Sequence, residues 1–111
     1  MSNFLTTKWD VIIAGGGPAG FFAAIRCAEL NPDLHVLIIE KASQTLGKVL
    51  ISGGGRCNVT HACFDPAQLI TFYPRGGVEL RGAFTRFQPA DTIKWFEERG
   101  VKLKAEPDGR M

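Results

Sequence analysis

The sequence predicts an α/β fold, a βαβ unit with a parallel sheet. Three observations carry that expectation. Residues 9–14 and 34–40 are short, near-continuous apolar runs rich in β-branched residues, the pattern of strands covered on both faces. Between them, residues 21–30 set Phe21, Ala24, Ile25 and Ala28 on one face at helical spacing. The first strand meets that helix through a glycine cluster, Gly15-Gly16-Gly17-Pro18-Ala19-Gly20.

Composition narrows the class. A chain of 111 residues allows one ordinary domain at most. With 45% hydrophobic and 22% charged residues it is neither disordered, collagenous nor coiled coil. The net charge of +2 is too mild to argue for nucleic acid or an anionic membrane. Cys27, Cys57 and Cys63 are odd in number and form no Cys-x-x-Cys, which favours a reducing compartment over a disulfide scaffold. Residues 1–8 contain no apolar signal core. The longest uncharged stretch, residues 11–25, is too short for a bilayer and contains Pro18 and four glycines. These features predict a soluble cytoplasmic protein.

The elements follow in order. Residues 9–14 form the first strand and residues 21–30 the helix. Asn31-Pro32 ends that helix, because proline disfavours the α conformation before it. Residues 34–40 form the second strand. Residues 41–60 read mostly as an ordered glycine-rich loop, with Val49-Leu50-Ile51 its only apolar run. Residues 64–88 read as short helical pieces punctuated by Pro66, Pro74 and Gly76-Gly77. A helix is expected over residues 91–99, with Asp91 in its first turn and Gly100 just past its end. Residues 101–104 read as a third, short strand.

Gly15, Gly17 and Gly20 fit G-x-G-x-x-G, a pattern that is weak alone. Here it follows a strand and opens a helix, as dinucleotide binding requires. Gly15 would permit the tight turn, Gly17 the approach of a pyrophosphate, and Gly20 close helix–strand packing. The helix N-terminus offers N–H groups and positive dipole to phosphates, and Pro18 suits its first position. Glu40 stands at the end of the second strand, 20 residues beyond Gly20, where an acid accepts from ribose hydroxyls and disfavours a 2′-phosphate. Neither glycine cluster is followed by the Gly-Lys-Ser/Thr of an ATP-binding P-loop. This motif alone leaves NAD and FAD open.

A second run, Ser52-Gly53-Gly54-Gly55-Arg56-Cys57-Asn58-Val59-Thr60, adds chemistry. Three successive glycines let backbone run against a flat or anionic ligand. Arg56 supplies a fork of donors for phosphate or a flavin carbonyl, and Ser52 and Asn58 add orienting hydrogen bonds. The competing reading is a glycine-rich surface loop with a solvated arginine.

With both motifs in place, the sequence resembles the N-terminal part of the bacterial BaiN-like, or aminoacetone-oxidase-like, FAD-dependent flavoproteins. Their signature is a Ser-Gly-Gly-Gly-Arg-Cys-Asn-x-Thr run after a GGGPAG loop, and Asp108 to Met111 matches a later family stretch. The resemblance covers essentially the whole chain. It implies a Rossmann-like FAD-binding domain, a longer two-domain enzyme, and oxidase or NAD(P)H-linked chemistry. It implies cofactor contacts from Gly15, Gly17, Pro18, Ala19 and Gly20, from Glu40 and Lys41 at the adenosine end, and from Lys48. It also implies that Ser52, Gly54, Gly55, Arg56, Cys57 and Asn58 lie along the flavin. Many relatives carry two basic residues where only Lys48 follows Gly47, and asparagine where this chain has His61.

Other residues invite roles that a plainer reading outweighs. Cys57, His61 and Cys63 lie close together, but zinc needs four ligands, so no metal is expected. Cys57 beside Arg56 could be a redox thiol; a small packing residue is the stronger reading. Cys27 reads as packing and His35 as structural. Arg75, Arg81 and Arg86 read as a solvated face, and Trp95 and Phe96 as core.

The expected function is the FAD-binding portion of a flavin-dependent oxidoreductase. An NAD-dependent dehydrogenase portion and a non-catalytic truncated product are the alternatives. No catalytic base is identifiable, and the substrate is an unspecified small molecule. The domain is expected to be incomplete, because about three strands do not make a covered parallel sheet. Phe22 shares a helical face with Arg26 and Glu29, which suggests a missing partner surface or self-association.

Overall fold

The computed structural model describes residues 7–111. They divide into two compact units, with the boundary between Arg56 and Cys57.

The first unit contains strand β1 (Val11–Ala14), helix α1 (Pro18–Leu30), strand β2 (Val36–Ile39) and helix α2 (Gly47–Gly55). β1 and β2 pair in parallel, with Val11 opposite Val36 and Ala14 opposite Ile39. The α/β, Rossmann-like fold read from the sequence is therefore present as a two-stranded parallel sheet. Both strands are shorter than expected. Asp10 forms a clamp at their start instead: its Oδ2 accepts from the His35 N–H at 2.9 Å and lies 3.3 Å from the His35 ring. His35 is thus structural, as expected.

α1 begins at Pro18 rather than Phe21. Proline at the first helical position lacks the N–H that would go unpaired there, and its fixed φ suits the helix. The helix ends at Asn31, which turns extended before Pro32 (φ −150°). α1 packs on both strands, and Phe21, Ala24, Ile25 and Cys27 are half-buried along it. Side chains alternate along β1, so Val11 and Ile13 are half-buried while Ile12 is 59% exposed. Ile39 is 53% exposed. The covering on both faces that the apolar runs predict is not found for these side chains.

The glycine-rich stretch after β2 corrects the loop expectation. Gly47 to Ile51 winds as the first turn of α2, with the Leu50 N–H donating to the Leu46 carbonyl at 3.0 Å. The helical path breaks at Ser52, and Gly53, Gly54 and Gly55 follow at φ 61°, 68° and 85°.

The second unit contains helix α3 (Pro66–Leu69), a 3₁₀ turn (Ile70–Phe72), helix α4 (Gly77–Phe84) and helix α5 (Pro89–Glu97). Leu69 is fully buried, and Pro89 is nearly so. α4 approaches the 3₁₀ turn closely at Gly77, where a Cβ would lie 2.5 Å from the Ile70 carbonyl oxygen. The Tyr73 and Phe84 rings meet at 5.4 Å. α5 starts two residues before the expected Asp91. Asp91 nonetheless caps it, accepting from the Gln88 N–H at 2.9 Å. After the helix, the Val101 N–H returns to the Phe96 carbonyl at 2.9 Å, with Gly100 at φ 80°. Trp95 and Phe96 are half-buried, and the Arg99 guanidinium lies 4.1 Å over the Trp95 ring.

Residues 101–104 are not a strand. Their alternating pattern suits an edge, but a strand needs a paired neighbour, and none of the described residues pairs with them. The extended pairing in this unit lies elsewhere. His61 and Arg110 form an isolated antiparallel bridge. The Val59 N–H donates to the Met111 carbonyl at 2.6 Å and the Ala62 N–H to the Gly109 carbonyl at 2.7 Å. Among the described residues, no helix is long and apolar enough to cross a membrane.

Candidate functional site

The first glycine motif is the turn between β1 and α1, and its three glycines have three separate causes. Gly15 sits at φ 109°, a conformation that L side chains rarely adopt. Gly20 is fixed by packing: a Cβ there would fall on the Gly15 carbonyl oxygen and press Ile13 Cγ2 at 3.3 Å. Gly17 has neither cause. It is extended, at φ −91° and ψ −176°, and a Cβ there would meet nothing within 4 Å. Among the described residues, no side chain caps the first turn of α1 beyond it. Its N–H groups are therefore open to an anion at the positive end of the helix dipole.

An open cleft of about 360 Å³ lies against this turn. It is lined by Gly16, Gly17 and Pro18 of the turn, by Glu40 and Ala42 after β2, and by Gln44, Leu46, Gly47 and Lys48 before and at the start of α2. The volume falls at the lower end of ligand clefts, near ~300–1,000 Å³, which suits part of a dinucleotide.

Glu40 stands at the end of β2, half-buried. Its Oε2 accepts from the Gly16 N–H at 2.7 Å and its Oε1 from the Ala42 N–H at 2.9 Å. These N–H groups, Ala42 first, hold its carboxyl below the usual carboxylate range. Lys48 supplies a cation on the same cleft.

The structure thus brings Gly17, Pro18, Glu40 and Lys48 together. Gly15, Ala19 and Gly20 shape the turn without lining the cleft, and Lys41 lies beside it. Gly16, Ala42, Gln44, Leu46 and Gly47 line the cleft and were not singled out as binding residues from sequence. A signal existed for Gly16 alone, the middle glycine of the cluster. A Cβ there would lie 2.8 Å from Thr45 Cγ2.

The second motif spans the boundary of the two units. Ser52 donates to the Val49 carbonyl at 2.8 Å, and the exposed Arg56 closes α2 through its N–H to the Ser52 carbonyl. Cys57 is exposed and takes φ 54°, which corrects the reading of it as a packing residue. In the amide orientation that pairs donors with acceptors, Asn58 donates to the Thr60 carbonyl at 3.0 Å and the Met111 carbonyl at 3.3 Å. Asn58 and Asp108 to Met111, two stretches read separately in the sequence, belong to one hydrogen-bonded arrangement. Within it the His61 ring lies 4.0 Å from the Phe72 ring and covers Gly109, where a Cβ would meet it at 2.6 Å.

Comparison with known proteins places the chain in a family. The family described as HI0933-like protein Rossmann domain matches residues 9–111. The chain is 31% identical over 104 residues to the ribosomal RNA dihydrouridine synthase of Escherichia coli, covering 94% of this chain and 25% of that protein. It is 30% identical over 93 residues to the 3-dehydro-bile acid delta(4,6)-reductase of Clostridium scindens, covering 84% and 22%. It is 38% identical over 115 residues to the fumarate reductase flavoprotein subunit of Mycobacterium tuberculosis, covering 96% and 19%. The chain therefore spans about a quarter or less of the length of these relatives. The last of these relatives is named as a flavoprotein, which supports FAD as the cofactor. With a family match over nearly all of its described length, a parallel βαβ unit and a glycine turn to suit, the chain belongs to the HI0933-like Rossmann-domain family.

Proposed function

We propose that the cleft beside α1 binds the ADP half of FAD, with the pyrophosphate over Gly17 and the first turn of α1, in the cofactor-binding part of a flavin-dependent oxidoreductase. Gly17 carries this reading. Its backbone angles suit any residue and no described residue lies within 4 Å of its Cβ position, so the position is open for a ligand to lie against it. The uncapped helix start supplies donors for a diphosphate, and Lys48 supplies charge. When bound, FAD supplies the redox chemistry, and the chain's residues bind and orient it.

In the same reading, Ser52, Gly54, Gly55, Arg56, Cys57 and Asn58 run along the flavin, and Lys41 lies toward the adenosine. The electron donor, NAD(P)H or another, and the small-molecule substrate belong to a protein of the relatives' length, in the cytoplasm. The 111 residues alone hold FAD weakly and turn nothing over. Self-association through the sheet face at Ile12 and Ile39 is part of this proposal, and sedimentation velocity checks it.

Gly17→Val tests the core of the reading. Its side chain fills the phosphate's approach, and its Cβ meets no described atom within 4 Å, so the fold is expected to survive and flavin binding to be lost. Flavin fluorescence titration and circular dichroism read the two effects. A folded Gly17→Val protein that keeps flavin at the unaltered affinity refutes the placement.

A further inference from the structure

We propose that Glu40 is a positioning residue: through the Gly16 and Ala42 peptide groups it holds the phosphate-binding turn in its ligand-ready shape before a nucleotide arrives. This deepens the nucleotide reading of the cleft and rests on it.

Both peptide atoms of buried Gly16 are engaged. Its N–H donates to Glu40 Oε2 at 2.7 Å, and its carbonyl accepts from the Leu46 N–H at 2.8 Å. The second Glu40 oxygen takes the Ala42 N–H at 2.9 Å. One carboxylate therefore ties the glycine turn to the segment that leads into α2. Leu46 sits in that segment at φ 58°, a left-handed conformation that non-glycine residues keep only when their surroundings impose it. The bond to Gly16 is such a constraint. Thr45 closes the other side, with Cγ2 2.8 Å from the Gly16 Cβ position.

Two consequences follow from the chemistry. The Gly16 N–H is already paired with an anion, so a phosphate draws its donors from Gly17 onward. Each Glu40 oxygen has a further lone pair, so a ribose hydroxyl can still bind there. Holding the turn and binding the ribose are thus separable roles of one carboxylate.

The Glu40→Gln variant separates them. A side-chain amide offers one acceptor and one NH₂ group, while Gly16 and Ala42 both present donors, so one of the two bonds must break. Calorimetry on the full 111-residue chain compares ADP with 2′,3′-dideoxy-ADP, which lacks both ribose hydroxyls. Glu40→Gln is expected to weaken 2′,3′-dideoxy-ADP by roughly tenfold and ADP by at least that factor. A loss with ADP that disappears with the dideoxy nucleotide overturns the proposal and leaves only the ribose role. A second measurement needs no ligand and no variant. In the nucleotide-free chain, the Gly16 and Ala42 amide proton resonances should shift together as pH is lowered, following a single carboxyl titration. Lys48 is the other charged side chain on the cleft. Silence of either amide overturns the proposal. If the unaltered chain binds neither nucleotide, the nucleotide reading fails by itself, and the amide titration still decides whether Glu40 holds the turn.

Discussion

The two glycine clusters look alike in sequence and differ in what they demand. In the first, Gly15 is explained by its dihedral, Gly20 by its neighbour, and Gly17 by neither. In the second, Gly53, Gly54 and Gly55 all sit at positive φ, and Cβ atoms at Gly54 and Gly55 would meet nothing. The backbone path alone accounts for the triple glycine. A glycine motif therefore argues for a ligand at those positions where neither conformation nor packing explains the glycine. By that standard the first cluster supports the proposed site, and the second enters the proposal through Arg56 and the family resemblance.

The largest effect expected from this contrast is at Gly20. Gly20→Ala drives a methyl group into the Gly15 carbonyl, and overpacking of that kind costs about 3 kcal/mol or more. Urea denaturation should show the loss, and flavin binding should fall with it. Gly17→Ala is the partner experiment. Stability should change by less than about 1 kcal/mol, because the position is open and extended. Flavin affinity should nevertheless fall by about tenfold or more, since the methyl group stands where the phosphate approaches. Equal stability losses in the two variants would erase the distinction between a packing glycine and a ligand glycine.

A smaller effect is expected at the second cluster. Gly54→Ala forces a Cβ into a left-handed conformation at φ 68°, at a cost of about 1–2 kcal/mol. Gly54→Asn should cost less, because asparagine visits that region more readily. Both losses should appear in the ligand-free chain, by thermal denaturation. A variant as stable as the unaltered protein would mean that the backbone does not require glycine there, and that a ligand does.

The same contrast explains what was legible beforehand. The first turn was readable because its determinants are local: a strand, three glycines at fixed spacing, a proline and an acid at the next strand end. The segment from Ala42 to Lys48 was not, because its shape depends on the bond from Leu46 to Gly16, some thirty residues back. Nothing in Leu46 itself announces a left-handed residue. The helical turn of Gly47 to Ile51 was missed because glycine and β-branched residues both score poorly for helix. Residues 101–104 were misread as a strand because alternation reports a pattern of exposure and says nothing of a pairing partner. Asp91 and Gly100 were readable, since capping chemistry needs only a few neighbouring residues.

The smallest effect concerns acid, and it contrasts the two units. Asp10 and Glu40 in the first unit and Asp108 in the second all have carboxyls held below their ordinary values of 3.8, 4.5 and 3.8. The His35 N–H is the main cause at Asp10, the Ala42 N–H at Glu40, and the Arg110 side chain at Asp108. A carboxyl with a depressed folded-state pKa contributes stability that is fully present above its ordinary value. That stability is lost as pH falls through the lowered value. The partners differ in reach, however. Asp10 bonds His35, a contact that exists only when the chain is folded; Glu40 bonds Gly16 in the same way, but its main partner, the Ala42 N–H, is as local as Arg110 is to Asp108. Arg110 is two residues from Asp108 and donates to it through Nε at 2.6 Å, a local contact that an unfolded chain can keep. Linkage counts only the difference between folded and unfolded states, so the first unit should dominate the acid sensitivity. Urea titrations between about pH 6 and pH 3 should show stability falling with pH. Asp10→Asn should flatten that fall most and Glu40→Gln less, through its Gly16 bond alone, while Asp108→Asn should leave most of it. A slope abolished by Asp108→Asn and untouched by the other two would reverse the assignment.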